Sequence, residues 1–369
     1  MIGDWIKDEA SIAELSRVYG VSRVTIYKWL ERFKAEGPAG IRERSKAPHH
    51  HPNAIPAELV QEIISARKSH PTWGPKKIQD LLQERYPEEN WPSQSTMTVI
   101  FRQAGLVKPR RTRHLVKPYS QPFLECDGPN RVWSADFKGQ FRTKDGKLCY
   151  PLTITDNYSR YILLCRGLEH PNQNVVIPWF ETTFRQYGLP EAIRTDNGAP
   201  FASTGLGGLS RLSTWFIKLG IRHERIEKGH PEQNGRHERM HKTLKEEACK
   251  HPRSSLQAQQ RVFNEFVNEY NYTRPHEALD MKKPGDLYEK SSRHYSRRIT
   301  TIDYGPEYYV RSVRSTGEIK WHGKLVHLNL ALCGEKVGLL QLQNEHEWEI
   351  RYGCLKLGVL DDHTCEIKV

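Results

Sequence analysis

The sequence predicts a multidomain protein with all-α helix-turn-helix modules at the N-terminus, a central α/β core and a small all-β domain at the C-terminus. Three observations carry this. Apolar residues recur at helical spacing up to about residue 105. From residue 131 the pattern changes to strands interleaved with helices, and from about residue 300 it changes again to short, Gly-punctuated strands. The corresponding expected boundaries are 1–50 and 51–107 for two helical modules, 108–128 for a basic linker, 129–290 for the core and 300–369 for the β-domain.

The 369 residues suffice for two or three domains with hydrophobic cores. Lys and Arg number 56 against 44 Asp and Glu, a formal charge of +12 with a pI near 9.3. A basic protein with 10% aromatic residues is a folded one that suggests a polyanionic partner, nucleic acid first. Seven cysteines without a CxxC pair fit reduced thiols better than a disulfide framework or a zinc site. No apolar run approaches the roughly 20 residues that span a bilayer, and no signal-peptide core opens the chain. The expected location is therefore cytoplasmic and nucleoid-associated.

In SIAELSRVYGVSRVTIYKWLERFK, Ser11 is placed to cap a helix running to Tyr19, with Ile12, Leu15 and Tyr19 on one face. Gly20-Val21 makes a tight turn and Ser22 caps a second helix whose Ile26, Leu30 and Phe33 point to a core beside Trp29. Arg23, Thr25, Lys28 and Arg32 are left facing outward, a basic face able to enter a major groove. A helical hairpin with a solvated face reads the same residues more simply. Helices at 57–68, in TWGPKKIQDLLQERY and in SQSTMTVIFRQAG behind Ser93 repeat the pattern. His49 to His51 fit a solvated linker better than a metal site, since neighbours cannot all face one ion. Residues 101–124 hold six Lys/Arg and no acid; Arg110, Arg111 and Arg113 within them are candidates to lie along phosphates, or a plain tether.

RVWSADFKG, KLCYPLTITD and RYILLCRG read as an antiparallel meander with Asp145-Gly146 at the tip of its first hairpin. Helix NVVIPWFETTFRQYG, strand AIRTDNG, helix LSRLSTWFIKLG and strand IRHERI follow, then helices to about Tyr272. That order is the order of an RNase H-like α/β core. In the tail, YYVRSV, GEIKWHG, KLVHLNL, KVGLLQL, EWEIRYG and LKLGVL suggest a small barrel or sandwich.

Asp136 near the end of the first core strand sits in an apolar run, and Asp196 ends the fourth strand ahead of Asn197-Gly198. Side chains at strand ends gather in the crevice beyond an α/β sheet. Two carboxylates held there repel unless a cation lies between them, which argues for divalent metal. Asp156 in TDNYSRY reads as a turn residue and only a fourth choice for the site; Glu246 and Glu247 read as surface helix.

SADF, TDNGAPF and HPEQNGRHERMHKTLKEE, with YNYTRPHEAL at 270–279, resemble the motifs of bacterial insertion-sequence transposases of the DDE, retroviral-integrase superfamily, over about residues 10–345. The resemblance implies a metal-dependent polynucleotidyl transferase that cuts the ends of an insertion element and joins their 3′-hydroxyls to target DNA. Its partners would be double-stranded element ends and target DNA, and it would act as a homo-oligomer assembled on them. Two Mg2+ or Mn2+ ions would be held by the catalytic acids, with Asp136 bridging, and no nucleotide cofactor is required; no GxxxxGK[ST] is present. The family's often-quoted interval of 35 residues between the second and third acids selects Glu232 after Asp196. The family's local motif, a proline, then a glycine, then the glutamate three residues on, selects Glu238 through Pro231 and Gly235. Glu238, His241, Lys242 and Lys245 at i, i+3, i+4 and i+7 would then set an acid among phosphate-binding bases on one helix face, with Lys242 and Lys245 as DNA contacts. Glu232 is left as part of a mobile loop, while Arg236, His237 and Arg239 grip DNA or stay solvated. The zinc-binding His-His-Cys-Cys pattern of retroviral integrases is absent, and the abrupt start at MIGDWIKDEA reads either as a few missing family residues or as a decayed element. The competing readings are a DNA-binding regulator with an inactive core and a nuclease that only hydrolyses.

Overall fold

A computed structural model describes residues 1–7, 10–42, 55–107, 123–203, 205–227, 230–297, 301–344 and 346–368. His49 to His51 and Arg110, Arg111 and Arg113 lie outside them. The chain divides into two compact units, 1–56 and 57–369.

In the first unit, α1 (Ile2–Ile6), α2 (Ile12–Tyr19) and α3 (Arg23–Glu36) surround Leu15, Ile26 and Leu30, all buried, with Met1, Ile2, Trp5 and Val21 packed against them. Ser11 and Glu14 form a reciprocal capping box, satisfying two orphan N–H groups at the start of α2. Gly20 ends it at φ 62°, a conformation in which a Cβ is strained. Ser22 caps α3 through the Thr25 N–H. The expected core face differs at Tyr19. Its ring is exposed, and its hydroxyl donates to Asp4 Oδ2 of α1 at 2.6 Å, an element that the mixed charges of GDWIKDEA hide.

The second unit opens with α4 (Ala57–Ser69), α5 (Pro75–Arg85) and α6 (Gln94–Gln103), the last capped by Ser93 as its sequence implies. Ile63, Trp73, Ile78, Leu82, Met97 and Phe101 are buried among them. The sheet follows: β1 (Val132–Phe137), β2 (Phe141–Arg142), β3 (Leu148–Asp156), β4 (Ile162–Leu168), β5 (Ala192–Thr195) and β6 (Arg222–Arg225). The main order is β4-β3-β1-β5-β6, antiparallel among the first three and parallel from β1 to β6, with β2 a short extension on β3. The helices are α7 (Gln173–Tyr187), α8 (Arg211–Lys218), α9 (Gly235–Leu244), α10 (Leu256–Tyr272) and the short α11 (Pro284–Leu287).

Strand alternation sorts the faces of β1. Trp133 and Ala135 enter a core with Phe180 and Phe184 of α7 and Phe216 of α8. Cys149, Ile162 and Cys165 meet Met240 and Leu244 of α9 and Phe263 and Phe266 of α10 on the opposite side. Ser134 and Asp136 therefore face α9, and the Ser134 hydroxyl donates to Asn234 at the start of that helix (2.9 Å).

The C-terminal strands are β7 (Tyr309–Ser312), β8 (Glu318–Trp321), β9 (Lys324–His327), β10 (Lys336–Gln341), β11 (Glu347–Tyr352), β12 (Leu355–Asp361) and β13 (Ile367–Lys368). Five form an antiparallel sheet, β13-β12-β11-β10-β7, and β8 and β9 form a hairpin whose Ile319, Trp321 and Val326 share its core. Leu209 and Ile217 beside and within α8 join that core, and Lys218 pairs with Glu335 at 2.9 Å. The β-domain thus packs on the helical side opposite to α9. The cysteines carry no disulfide, and no helix among the described residues is long and apolar enough to cross a membrane.

Candidate active site

Parallel pairing of β1 and β5 sets Ser134 beside Arg194, and the same register carried two residues on brings Asp136 level with Asp196. Asp136 is mostly buried, and its Oδ1 accepts the Phe137 N–H at 2.7 Å. Asp196 follows β5 immediately, its Oδ1 accepting the Gly198 N–H at 3.1 Å, so the turn after the strand orients the carboxylate. Behind it, the Thr195 hydroxyl bonds His223 of β6 (2.9 Å), an imidazole that burial pushes down to about 3.

Electrostatics tie the three acids together. The Asp136 carboxyl is pushed up to about 7, first by burial, then by Asp196 and also by Glu238, with the Phe137 N–H working against the rise. Burial raises Asp196 as well, against its Gly198 hydrogen bond. Glu238 lies in the first turn of α9 and is exposed, as are Lys242 on the same helix and Lys245 at the start of the π-helical turn that follows it. Carboxylates gathered in a partly desolvated place resist ionisation together, and a cation among them removes that cost. Hard oxygen donors of this kind suit Mg2+ or Mn2+.

Glu232 has a local partner. It belongs to a short helical turn, Pro231–Asn234, ahead of α9, and takes a hydrogen bond from His230 Nδ1 at 2.8 Å that lowers its pKa. It opens onto a cavity lined by Phe123, Cys126, Asn157, Arg194 and Arg236. Asp156 is also engaged: fully buried, it accepts the N–H groups of Asn130 and Ser159 and the Ser159 hydroxyl, all within 2.8 Å, and so shapes the β3-β4 turn.

Two histidines correct the sequence reading. His237, grouped there with Arg236 and Arg239, is buried and bonds Thr155 through Nδ1 and Thr153 through Nε2, both at 2.8 Å. His241, expected on the outward face with Glu238, is buried too; its Nε2 lies 2.7 Å from Thr153 Oγ1 and its Nδ1 lies 3.7 Å from Asp136 Oδ2. Burial holds both imidazoles below their ordinary range, His237 at about 3. The missed signal is the spacing of His237, Met240, His241 and Leu244, the i, i+3, i+4, i+7 stripe that α9 buries. Asp136, His237 and His241 have ligand atoms all within 4.8 Å of one another. Glu247, read as surface, instead accepts Arg274 Nη1 at 2.6 Å and the Thr72 hydroxyl.

On α3, Arg23 and Lys28 are exposed. The Thr25 hydroxyl is 2.8 Å from Ser22 Oγ at the cap, and Arg32 stacks over Trp29 at 5.2 Å, so both are half-buried and engaged within the unit. Val24 and Tyr27, absent from the expected contacts, are 78% and 55% exposed on the same helix.

Comparisons with known proteins agree with this architecture. Two families described as integrase core domain match residues 127–231 and 219–284, and two described as homeodomain-like domain match 4–42 and 25–100. An uncharacterized 39.2 kDa protein of insertion element IS476 from Xanthomonas euvesicatoria is 27% identical over 247 residues, 64% of this chain and 67% of that one. A 31.7 kDa protein of insertion element IS407 from Burkholderia multivorans is 26% identical over 248 residues, 66% of this chain and 83% of that one. The solved HTLV-2 integrase catalytic core domain in complex with magnesium aligns at 18% identity and a TM-score of 0.35, covering 44% of this chain and 99% of that chain. Residues 127–284 thus match integrase core domain models, residues 4–100 match homeodomain-like domain models ahead of them, and the chain is similar to insertion-element proteins.

Proposed function

We propose that the protein is a DDE transposase that cleaves the ends of an insertion element and joins the freed 3′-hydroxyls to target DNA. The supporting observation is the electrostatic meeting of Asp136, Asp196 and Glu238, with Asp136 unable to ionise in its ordinary range. These acids hold divalent cations, Mg2+ or Mn2+. Such ions, when bound, make a water or a 3′-hydroxyl nucleophilic near neutral pH and offset charge on the leaving oxygen. The chain itself contributes placement. Strands β1 and β5 fix two carboxylates on a rigid sheet, and α9 brings the third from a helix pinned to β1 through Asn234 and Ser134. Lys242 on α9 and Lys245 just past its end, both exposed beyond Glu238, bind backbone phosphates of the DNA being cut.

Recognition of the element ends belongs to residues 1–50, where α3 presents Arg23 and Lys28 to a major groove. The second helical module, 51–107, and the basic linker 108–128 extend the DNA contact beside the core 129–290. Pairing two ends requires at least two catalytic cores, so the acting form is a homo-oligomer on DNA. Asp136→Asn is expected to abolish both cleavage and joining in Mg2+ or Mn2+ while leaving DNA-end binding within about threefold. Joining of pre-cut ends by that variant would refute the reading, and hydrolysis without joining by the wild type would reduce it to a nuclease.

A further inference from the structure

We infer that His241 is a further ligand of the cation held at Asp136, acting through Nδ1, so that this site carries an imidazole nitrogen beside its carboxylates. The inference rests on the proposed metal-dependent function and adds a residue to it.

A threonine hydroxyl has one proton to give and two lone pairs to receive with. Thr153 gives its proton to the Asp136 carbonyl oxygen, 3.1 Å away. His237 and His241 both place Nε2 against that same hydroxyl oxygen, at 2.8 and 2.7 Å, so each must donate an N–H to it. In a neutral imidazole the remaining nitrogen then carries a lone pair. For His237 that nitrogen is used, because Nδ1 accepts the Thr155 hydroxyl at 2.8 Å. For His241 it is Nδ1, and it faces Asp136 Oδ2 at 3.7 Å. At 3.7 Å the pair is too far apart for a hydrogen bond, and once Asp136 is ionised two acceptors face each other in a buried place and repel. A cation between them turns the repulsion into coordination. Neighbouring ligands in an octahedral site with bonds near 2.1 Å stand about 3 Å apart, within a small side-chain adjustment of the observed gap. The hydrogen bond from Nε2 to Thr153 fixes ring and tautomer, as the outer partners of metal-bound histidines do. His237 holds the same threonine, and its two ring nitrogens are both taken, by Thr153 and Thr155. A nitrogen ligand shifts preference from Mg2+ toward softer divalent ions, Mn2+ among them.

The probe is Mn2+ bound to the full-length chain without DNA, followed by spin-echo modulation of its electron resonance and by the concentration of free ion. The wild type is expected to show modulation from a directly bound 14N. In His241→Gln, whose amide keeps a donor near the Nε2 position, that modulation disappears and Mn2+ affinity falls about tenfold, with less change for competing Mg2+. His241→Asn, with a polar atom near the Nδ1 position, provides an independent second variant should the glutamine protein melt early; it too is expected to lose the nitrogen signal. Absence of 14N modulation in the wild type, or its survival in both variants, overturns the inference. Asp136→Asn separates the two layers. Mn2+ binding unchanged in that variant contradicts the proposed metal site itself, whereas binding lost there with no nitrogen signal in the wild type contradicts only the role of His241. A wild type that binds no Mn2+ overturns both.

Discussion

Residues 11–34 and 57–103 are both runs of capped amphipathic helices, yet they end in different surroundings. In the first unit, α3 keeps Arg23, Val24, Tyr27 and Lys28 exposed over a small core of Leu15, Ile26 and Leu30. The helices α4 to α6 share a compact unit with the α/β core. His70 meets Glu269 at 3.0 Å, Lys283 meets Glu84 at 2.7 Å, and Arg274 bonds Glu247 while lying 5.8 Å from the Trp73 ring. Arg274 belongs to YNYTRPHEAL, so this motif has a physical task here: it binds α4–α5 to α10 and the turns beside it. The same helical grammar serves one region that presents a face and another that gives its face to the core.

That contrast can be broken by truncation, which carries the largest expected effect. Removing residues 1–56 is expected to abolish sequence-specific binding to element ends, by about a hundredfold or more in gel-shift assays at fixed salt, while metal-dependent nicking persists. Removing 1–107 strips the partners of Glu269, Arg274 and Lys283 and is expected to yield unstable or insoluble protein; a soluble, cooperatively melting 108–369 fragment would contradict the second half of the comparison. A milder cut is Arg274→Ala, which leaves Glu247 without its cation. Denaturant unfolding should register a loss of about 3 kcal/mol, and a change below about 0.5 kcal/mol would show the contact to be incidental.

The second unit also carries the charge cost of the site, which makes its stability depend on pH. Asp136 titrates near 3.8 when unfolded and at about 7 when folded, so the folded state holds a proton that the unfolded state has lost between those values. Stability from this group is therefore full at pH 4 and is lost as pH rises through 7. Without divalent cation, Asp136→Asn should match the wild type near pH 4 and exceed it at pH 8 by about 2 kcal/mol. Equal melting of the two proteins at pH 8 would speak against a strained carboxylate. The smallest effect falls on the first unit. Arg23→Ala should weaken end binding by about 1 kcal/mol and lower the salt slope by about one. Arg32→Ala should leave the salt slope unchanged, since its guanidinium is stacked over Trp29.

Much of this fold was readable from periodicity and turn chemistry. Ser11, Ser22 and Ser93 mark helix starts by cap rules that act locally, and the six apolar segments after residue 300 each form a strand. Strand alternation likewise gives Asp136 a face opposite to Trp133 and Ala135. What stayed hidden depends on partners distant in sequence. The short β13 is held by pairing with β12, and α1 by packing on Leu15 and Ile26. Glu247 looks like a surface acid until Arg274 and Thr72 arrive, and His237 and His241 look basic and solvated until Thr153 and Thr155 of β3 accept them. For the two glutamates, counting residues pointed to Glu232 and the local motif to Glu238. In the structure Glu238 acts on the Asp136 carboxyl, and Glu232 is engaged with His230.

Strand transfer by paired variants therefore tests the central claim most directly. Pre-cut element ends, labelled and incubated with target plasmid in Mg2+ or Mn2+, should be joined by the wild type and, within about threefold, by Glu232→Gln. Glu238→Gln should reduce joining by at least about a thousandfold while still binding the ends. Joining by Glu238→Gln, or its loss in Glu232→Gln alone, would contradict the account.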